Sequence, residues 1–234
     1  MNGHKGFSLV ELTLVMFIIG LMLGGLLVPL ATQTEARERS ETLDQLNQIR
    51  EALIGFAIIN GRLPCYTSQT DPASPNYGVE DSPCNPAGLT SDGILPWKTL
   101  GMETGLDPWG VARTSSTDPW TGFWRYRVHP NFVSTISLSS SPFSSNRLCI
   151  VDAGGNLIVS TSETPVALVY STGANQTANG QNASYEATSV STDCAANSPI
   201  LYQGGPASGS FDDITMWLTR PLLFNRMVTA NRLP

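Results

Sequence analysis

The sequence has few of the residues on which enzymes and metal sites depend. Its 234 residues include only two histidines, and its four cysteines form no C-x-x-C pair, so no zinc site is predicted. It contains no G-x-S-x-G, no H-E-x-x-H and no phosphate-binding G-x-x-x-x-G-K-[ST] motif. A Ser-His-Asp triad would depend on His129, which lies directly before Pro130 at a predicted strand end. We therefore predict no catalytic residue, no cofactor site and no metal site, and hence no enzyme.

Charged residues are also scarce, and none of them form a basic run. They make up 14% of the chain, and the formal net charge is −6. Proteins that bind nucleic acid carry clustered Lys and Arg side chains, so no nucleic-acid partner is expected.

Two acidic clusters leave calcium open as an alternative to turn capping. Asp212 precedes Asp213, and Asp152 lies four residues before Asn156 across a glycine turn. Oxygen-rich loops can bind Ca²⁺, but neither cluster has the regular alternation of an EF-hand loop. Capping of turns by these side chains is the favoured role.

One long apolar run lies near the start of the chain. Residues 7–31 contain a single ionisable side chain, Glu11. As a helix this run would reach roughly 38 Å, enough to cross a hydrocarbon core of about 30 Å. Since no A-x-A-like cleavage site follows it, the run predicts a retained transmembrane helix rather than a removed secretory signal.

Glu11 is unusual because a carboxylate inside a bilayer is energetically costly and generally has a partner. No basic side chain lies within a helical turn or two of it on this segment. One interpretation places Glu11 close enough to the interface to reach the headgroups or stay protonated. The other interpretation is that Glu11 meets a cation contributed by another chain.

The residues around Glu11 resemble a known family signature. The sequence G-F-S-L-V-E-L begins at Gly6, follows a short leader with Lys5, and is similar to the amino terminus of type IV pilins and type II secretion pseudopilins. The resemblance implies that a prepilin peptidase cuts between Gly6 and Phe7 and methylates the new amino terminus. It also implies that Glu11, at the fifth mature position, pairs with the amino terminus of a neighbouring subunit during assembly.

The same resemblance implies a location and a set of partners. The protein would be a single-pass protein of the bacterial inner membrane with its C-terminal domain in the periplasm, and would then enter a pilus or pseudopilus. Its partners would be other pilin or pseudopilin subunits, the prepilin peptidase, the inner-membrane assembly platform and membrane lipid. The implied function is that of a structural subunit, a minor pilin or pseudopilin. The alternative is a membrane-anchored periplasmic binding protein or hydrolase.

The helix is predicted to continue beyond the membrane and then to cover a globular domain. Residues 32–61 are rich in helix formers, and Gly61 and Pro64 end the segment. Its apolar side chains recur at three- and four-residue spacing, which predicts one buried face. These side chains are Leu43, Leu46, Ile49, Leu53 and Phe56.

The remaining pattern predicts strands and a closing helix. Strands are predicted at residues 124–128, 166–171 and 214–219, with a hairpin over residues 148–161 and a short helix over 221–231. The fold class is therefore α+β, and the resemblance implies that it is pilin-like, with a long N-terminal helix packed on a mainly antiparallel β-sheet with irregular disulfide-pinned loops. The predicted boundaries are a leader at 1–6, a transmembrane helix at 7–31, its amphipathic continuation at 32–61 and a globular domain at 62–234.

The four cysteines predict two disulfides in an exported domain. They are Cys65, Cys84, Cys149 and Cys194, and three pairings are possible. Cys65–Cys84 and Cys149–Cys194 are favoured because each pair brackets a polar, turn-rich loop. In the chain-entropy model each bond would contribute roughly 3–4 kcal/mol.

Residues 62–123 show little periodicity and are rich in Pro, Gly, Asp and Trp. This composition favours an irregular lobe that is pinned by a disulfide and anchored by buried tryptophans. The alternative is an exposed aromatic surface that binds a partner.

Overall fold

The computed structural model describes residues 9–84, 93–110, 122–142, 147–160, 163–175, 182, 200–205 and 211–233, with only the backbone for 23–32 and 200–203. The chain divides into two compact units, Met1–Ser40 and Glu41–Pro234. A single helix, α1 (Leu9–Asn60, 52 residues), begins in the first unit and ends in the second.

The first unit contains the N-terminal part of α1. Within the described residues, no helix combines the length and the apolarity that a membrane span requires. Residues 7 and 8 and the side chains of 23–31 lie outside the described part, and the transmembrane helix at 7–31 stays a prediction.

The second unit buries one face of α1, as the spacing of its apolar residues predicts. The buried stripe is shifted by one residue at its start, because Thr42 is fully buried whereas Leu43 is 47% exposed. Phe56 is only half-buried, and Ala57 takes its place in the core. The buried side chains of this helical segment are Thr42, Leu46, Ile49, Leu53, Ile54 and Ala57.

The end of α1 is fixed by a glycine and by the C-terminus of the chain. Gly61 has a φ of +70°, a left-handed conformation that glycine adopts without steric cost, and its N–H donates to Ala57 O at 2.8 Å. The guanidinium of Arg232 donates to the carbonyls of Ile58 and Ile59, which are among the last carbonyls of the helix.

A four-stranded antiparallel sheet packs against this helical face. Its strands are β1 (Gly93–Ile94), β2 (Arg125–Val128), β4 (Pro165–Ser171) and β6 (Ile214–Thr219), in the order β1-β2-β4-β6. Ile214, Met216 and Leu218 are buried, while the residues between them are partly exposed, so the predicted period-two strand is confirmed. A helix followed by a mainly antiparallel sheet confirms the α+β class.

The predicted hairpin over residues 148–161 is only partly correct. Its turn forms, with Asp152 N–H donating to Asn156 O and Ile158 N–H donating to Ile150 O, both at 2.8 Å. The second arm contributes only an isolated bridge between Val151 and Leu157. Strand β3 (Leu148–Val151) instead pairs in parallel with β5 (Ile200–Gln203), which lies far along the chain and gives no local signal.

The closing helix is α2 (Arg220–Thr229), with a proline in its first turn as predicted. Its buried side chains are Leu223, Phe224 and Met227. They join the core formed by α1 and the sheet, so the last residues of the chain complete the second unit.

Candidate functional site

The N-terminal part of α1 exposes apolar side chains around its whole circumference. Every side chain at residues 9–22 is exposed. Helices that are apolar on all sides are stable in lipid or inside a bundle of other helices. The large hydrophobic side chains concerned are Leu9, Val10, Leu12, Leu14, Val15, Met16, Phe17, Ile18, Ile19, Leu21 and Met22.

Glu11 lies in the first turn of this segment, and it is exposed between Val10 and Leu12. The structure thus places the predicted assembly residue on an apolar, accessible part of α1. The predicted cleavage residues, Gly6 and Phe7, lie outside the described residues.

Gly20 adds an open position to the same segment. A Cβ atom built at this glycine would meet nothing within 4 Å, so packing within the described chain does not require a glycine here. In membranes, small residues on a helix allow a second helix to approach closely.

The loop that follows α1 is pinned by a disulfide and by an ion pair. Cys65 and Cys84, one of the two favoured pairs, are bonded, with their Cα atoms 5.8 Å apart. Beside them, the two terminal nitrogens of Arg62 donate to the two carboxylate oxygens of Glu80 at 2.7 and 2.8 Å, and Cys65 N–H donates to Glu80 at 2.9 Å. Sequence reasoning missed this pair, because 18 residues separate its members and no local pattern relates them.

The contacts of Glu80 also set its acidity. Partial burial acts to raise its pKa, but the hydrogen bonds from Arg62 and from Cys65 N–H stabilise the carboxylate, and the net pKa is lowered. In turn, the hydrogen bond with Glu80 raises the pKa of Arg62. Both groups are therefore ionised at neutral pH.

Cys149 in β3 also takes part in a disulfide. Cys194, the partner that the sequence favours for it, lies outside the described residues. The structure therefore shows one complete pair, Cys65–Cys84.

Two of the tryptophans act as buried anchors. Trp97 stacks on Phe123 with ring centroids 5.6 Å apart, and Tyr77 meets Trp97 edge-on at 4.8 Å. Trp124 is completely buried in the core between α1 and the sheet. At Trp97, which lies within residues 62–123, the structure agrees with an anchored irregular lobe rather than with an exposed aromatic surface.

Asp152 caps the glycine turn, as favoured for this acidic cluster. Its Oδ1 accepts hydrogen bonds from Gly154 N–H at 2.8 Å and from Asn156 N–H at 2.9 Å. Hydrogen bonds from the backbone and side chain of Asn156 lower the pKa of Asp152.

In the second acidic cluster, Asp213 is buried and accepts a hydrogen bond from Asn182 Nδ2 at 2.9 Å. Asp212 accepts a hydrogen bond from Asn175 N–H at 2.9 Å.

Two further buried groups, Asp107 and His129, have pKa values that burial shifts from their ordinary values. Burial raises the pKa of Asp107 to about 6, although a hydrogen bond from Ser171 Oγ at 2.7 Å acts in the opposite direction. Burial, reinforced by the nearby Arg127, lowers the pKa of His129 to about 4. His129 Nδ1 accepts from Asn131 N–H at 3.1 Å, so this nitrogen caps the short 3₁₀ helix Pro130–Phe132.

The described residues contain no group of three or more His, Cys, Asp or Glu side chains that could hold a metal ion. Buried Asp107, His129 and Asp213 accept hydrogen bonds, whereas both terminal nitrogens of the buried Arg127 make none with a described residue. Among the predicted site residues that the structure describes, Glu11 lies on the exposed apolar part of α1.

Comparison with known proteins identifies one family feature. Residues 1–27 match the prokaryotic N-terminal methylation motif, which is the signature of type IV pilins and pseudopilins. This match confirms the resemblance of the amino-terminal segment. No curated protein and no solved structure matches the chain.

Proposed function

Because residues 1–27 carry the prokaryotic N-terminal methylation motif, the signature of type IV pilins and pseudopilins, we propose that this chain is a structural filament subunit. A prepilin peptidase cuts between Gly6 and Phe7, and the new amino terminus is methylated. The subunit then waits in the bacterial inner membrane until it enters a type IV pilus or a type II secretion pseudopilus. The motif match is the single observation that carries the proposal.

The exposed surface of α1 supports assembly through this helix. Lipid tails are as apolar as leucine, so helices in a membrane associate through close packing rather than through hydrophobic burial. The open position at Gly20 provides a place where a second helix can approach closely. In this proposal the same segment is the membrane anchor before assembly and the filament core afterwards.

The disulfides support a periplasmic location for the second unit. Disulfides form and persist in oxidising compartments, and both Cys65–Cys84 and Cys149 are oxidised. The proposed topology therefore places the leader in the cytoplasm, residues 7–31 across the membrane and residues 62–234 in the periplasm.

Glu11 has an assembly role in this proposal. The methylated amino terminus of one subunit meets the carboxylate of Glu11 on its neighbour, and two charges that are each costly in an apolar surrounding are stabilised together. The role is structural, and the proposal assigns the chain neither a reaction nor a cofactor.

Substitution of Glu11 tests this assembly role. We expect Glu11→Ala to be inserted and processed normally but to fall at least about ten-fold in sheared filaments, because the neighbour's amino terminus loses its partner. The measurement is quantitative immunoblotting of the membrane and sheared-filament fractions of the same cells.

Glu35→Ala is the matched control, since it removes an exposed carboxylate of the same helix beyond the motif. This variant should assemble like the wild type. Normal incorporation of Glu11→Ala would contradict the proposed mechanism.

A further inference from the structure

Two grooves of different chemistry lie on either side of the part of α1 that belongs to the second unit. The first, which we call the acidic groove, is lined by Glu41 and Asp44 of the helix and by Glu103 of the loop that faces it. All three carboxylates are exposed, and no lysine or arginine is among the described residues that line the groove. Leu100 and Met102 give the acidic groove a partly buried apolar floor.

The second, which we call the basic groove, lies between α1 and β6, an edge strand of the four-stranded sheet. Its charged residue is Arg50, which makes no hydrogen bond and no ion pair with any described residue. The exposed side chain of Leu43 and the partly exposed ring of Trp217 lie in the same groove. The basic groove therefore combines one available cation with an apolar surface.

Arg50 of the basic groove and the carboxylates of the acidic groove cannot form an ion pair within one chain. An α-helix turns by about 100° per residue, so nine residues place Arg50 roughly half a turn around the axis from Glu41. The buried stripe of Leu46, Ile49 and Leu53 lies between them. A cation on one side and carboxylates on the other can meet only when a second copy of the helix lies alongside.

We propose that the basic groove of one copy docks against the acidic groove of a second copy, with Arg50 of the first beside Asp44 and Glu103 of the second. Leu43 and Trp217 then face the apolar floor of the acidic groove. The contact uses two different surfaces, so it is heterologous and can repeat from copy to copy to form an open filament. This inference rests on the proposed function and adds a contact between globular domains.

The charges would set the register of this contact more than its strength. Exposed ion pairs are individually weak, whereas like charges brought together across an interface are strongly unfavourable. Reversing one partner should therefore disrupt the contact, and reversing both partners should restore it.

Charge exchange provides the first test in cells that assemble the filament. Asp44→Arg and Arg50→Asp, each alone, should lower the amount of the chain in sheared filaments at least about ten-fold. The double variant keeps the wild-type net charge and should return to within about three-fold of the wild type. Glu163→Arg, which makes the same charge change as Asp44→Arg at an exposed position outside both grooves, should assemble normally.

Two results of this exchange would overturn the proposal. One is a double variant that assembles no better than the single variants. The other is single variants that assemble like Glu163→Arg.

Cross-linking provides the second test and separates this inference from the proposed function. The full chain carrying Asp44→Cys together with Arg50→Cys should give a ladder of disulfide-linked copies in membranes under mild oxidation, whereas either substitution alone should give none. Absence of the ladder, or a cross-link only to a different polypeptide, would overturn the contact between copies. If the wild-type chain were absent from filaments, the proposed function would fail, and the ladder alone would decide whether this contact forms.

Discussion

At the scale of single residues, Glu80 shows how one side chain ties a loop to the end of a helix. It binds Arg62 through both carboxylate oxygens and also accepts a hydrogen bond from the backbone of Cys65. Because its pKa is lowered on folding, the unfolded chain takes up a proton more readily than the folded one. The stabilisation of the folded state by the ionised Glu80 carboxylate is complete above the ordinary glutamate pKa of 4.5. It is lost as the pH falls through the lower pKa that Glu80 has in the folded state.

We predict that Glu80→Gln lowers the free energy of unfolding by about 1–3 kcal/mol near neutral pH. The difference from the wild type should shrink in acid, because the wild-type carboxylate is then protonated as well. Urea unfolding of the protein in detergent at about pH 7 and about pH 3 measures both values. Glu163→Gln, which changes an exposed glutamate, is the control, and an equal effect of both variants would contradict this account.

Asp107 should have the opposite pH dependence. Its pKa is raised to about 6 on folding, so the folded state holds a proton that the unfolded state releases. The corresponding stabilisation is present below the ordinary pKa of 3.8 and is lost as the pH rises through about 6.

Burial of neutral His129, whose pKa is lowered to about 4, acts in the opposite direction in both proteins, so the contribution of Asp107 is the difference between the wild type and Asp107→Asn. We therefore predict that the free energy of unfolding of the wild type falls by about 1–3 kcal/mol relative to that of Asp107→Asn between about pH 4 and pH 8. The amide keeps an oxygen that can accept from Ser171 Oγ but carries no charge to bury. Unfolding curves of both proteins across this range provide the measurement. A slope that is the same in Asp107→Asn and in the wild type would show that another group is responsible.

At the scale of elements, α1 is held to the sheet by a narrow buried stripe. Leu53 is completely buried, whereas Leu43, ten residues earlier, is 47% exposed. We predict that Leu53→Ala lowers the free energy of unfolding by about 2–5 kcal/mol, because it leaves a cavity that the surroundings fill only in part. The matched Leu43→Ala should cost less than about 1 kcal/mol. Similar losses in the two variants, measured by urea unfolding, would contradict the described packing.

The comparison of these two leucines also shows how far the sequence predicts this element. Three- and four-residue spacing identified the helix and placed Leu46, Ile49 and Leu53 on its buried face. It placed Leu43 there as well, because apolar character alone does not distinguish a core position from a groove beside an edge strand. Thr42 was missed because a polar side chain gives no hydrophobic signal even when it is buried.

Strand pairing shows a similar limit. The alternation in β6 could be read from the sequence because one face is buried and the other is partly exposed. The parallel pairing of β3 with β5 could not, since its partners are some fifty residues apart and only a short turn after β3 gives a local signal. Likewise, the motif around Glu11 can be recognised from the sequence because its residues are consecutive. The Arg62–Glu80 pair cannot be predicted in this way, because its members are brought together only by folding.

At the scale of the whole molecule, the chain has two parts with different chemistry. The first unit presents exposed apolar side chains along α1, and the second forms a disulfide-bonded α+β domain whose main core lies between α1 and the sheet. The N-terminal methylation motif at residues 1–27 lies within the first part. The proposal that this chain is a filament subunit therefore depends on the fate of its first six residues.

The intact mass of the protein recovered from cells with an active prepilin peptidase tests this claim most directly. The account predicts a chain that begins at N-methylated Phe7 and lacks residues 1–6, while Gly6→Val retains them because the cut requires the glycine. A wild-type chain that still begins at Met1 in those cells would contradict the account and would instead fit a membrane-anchored binding protein or hydrolase.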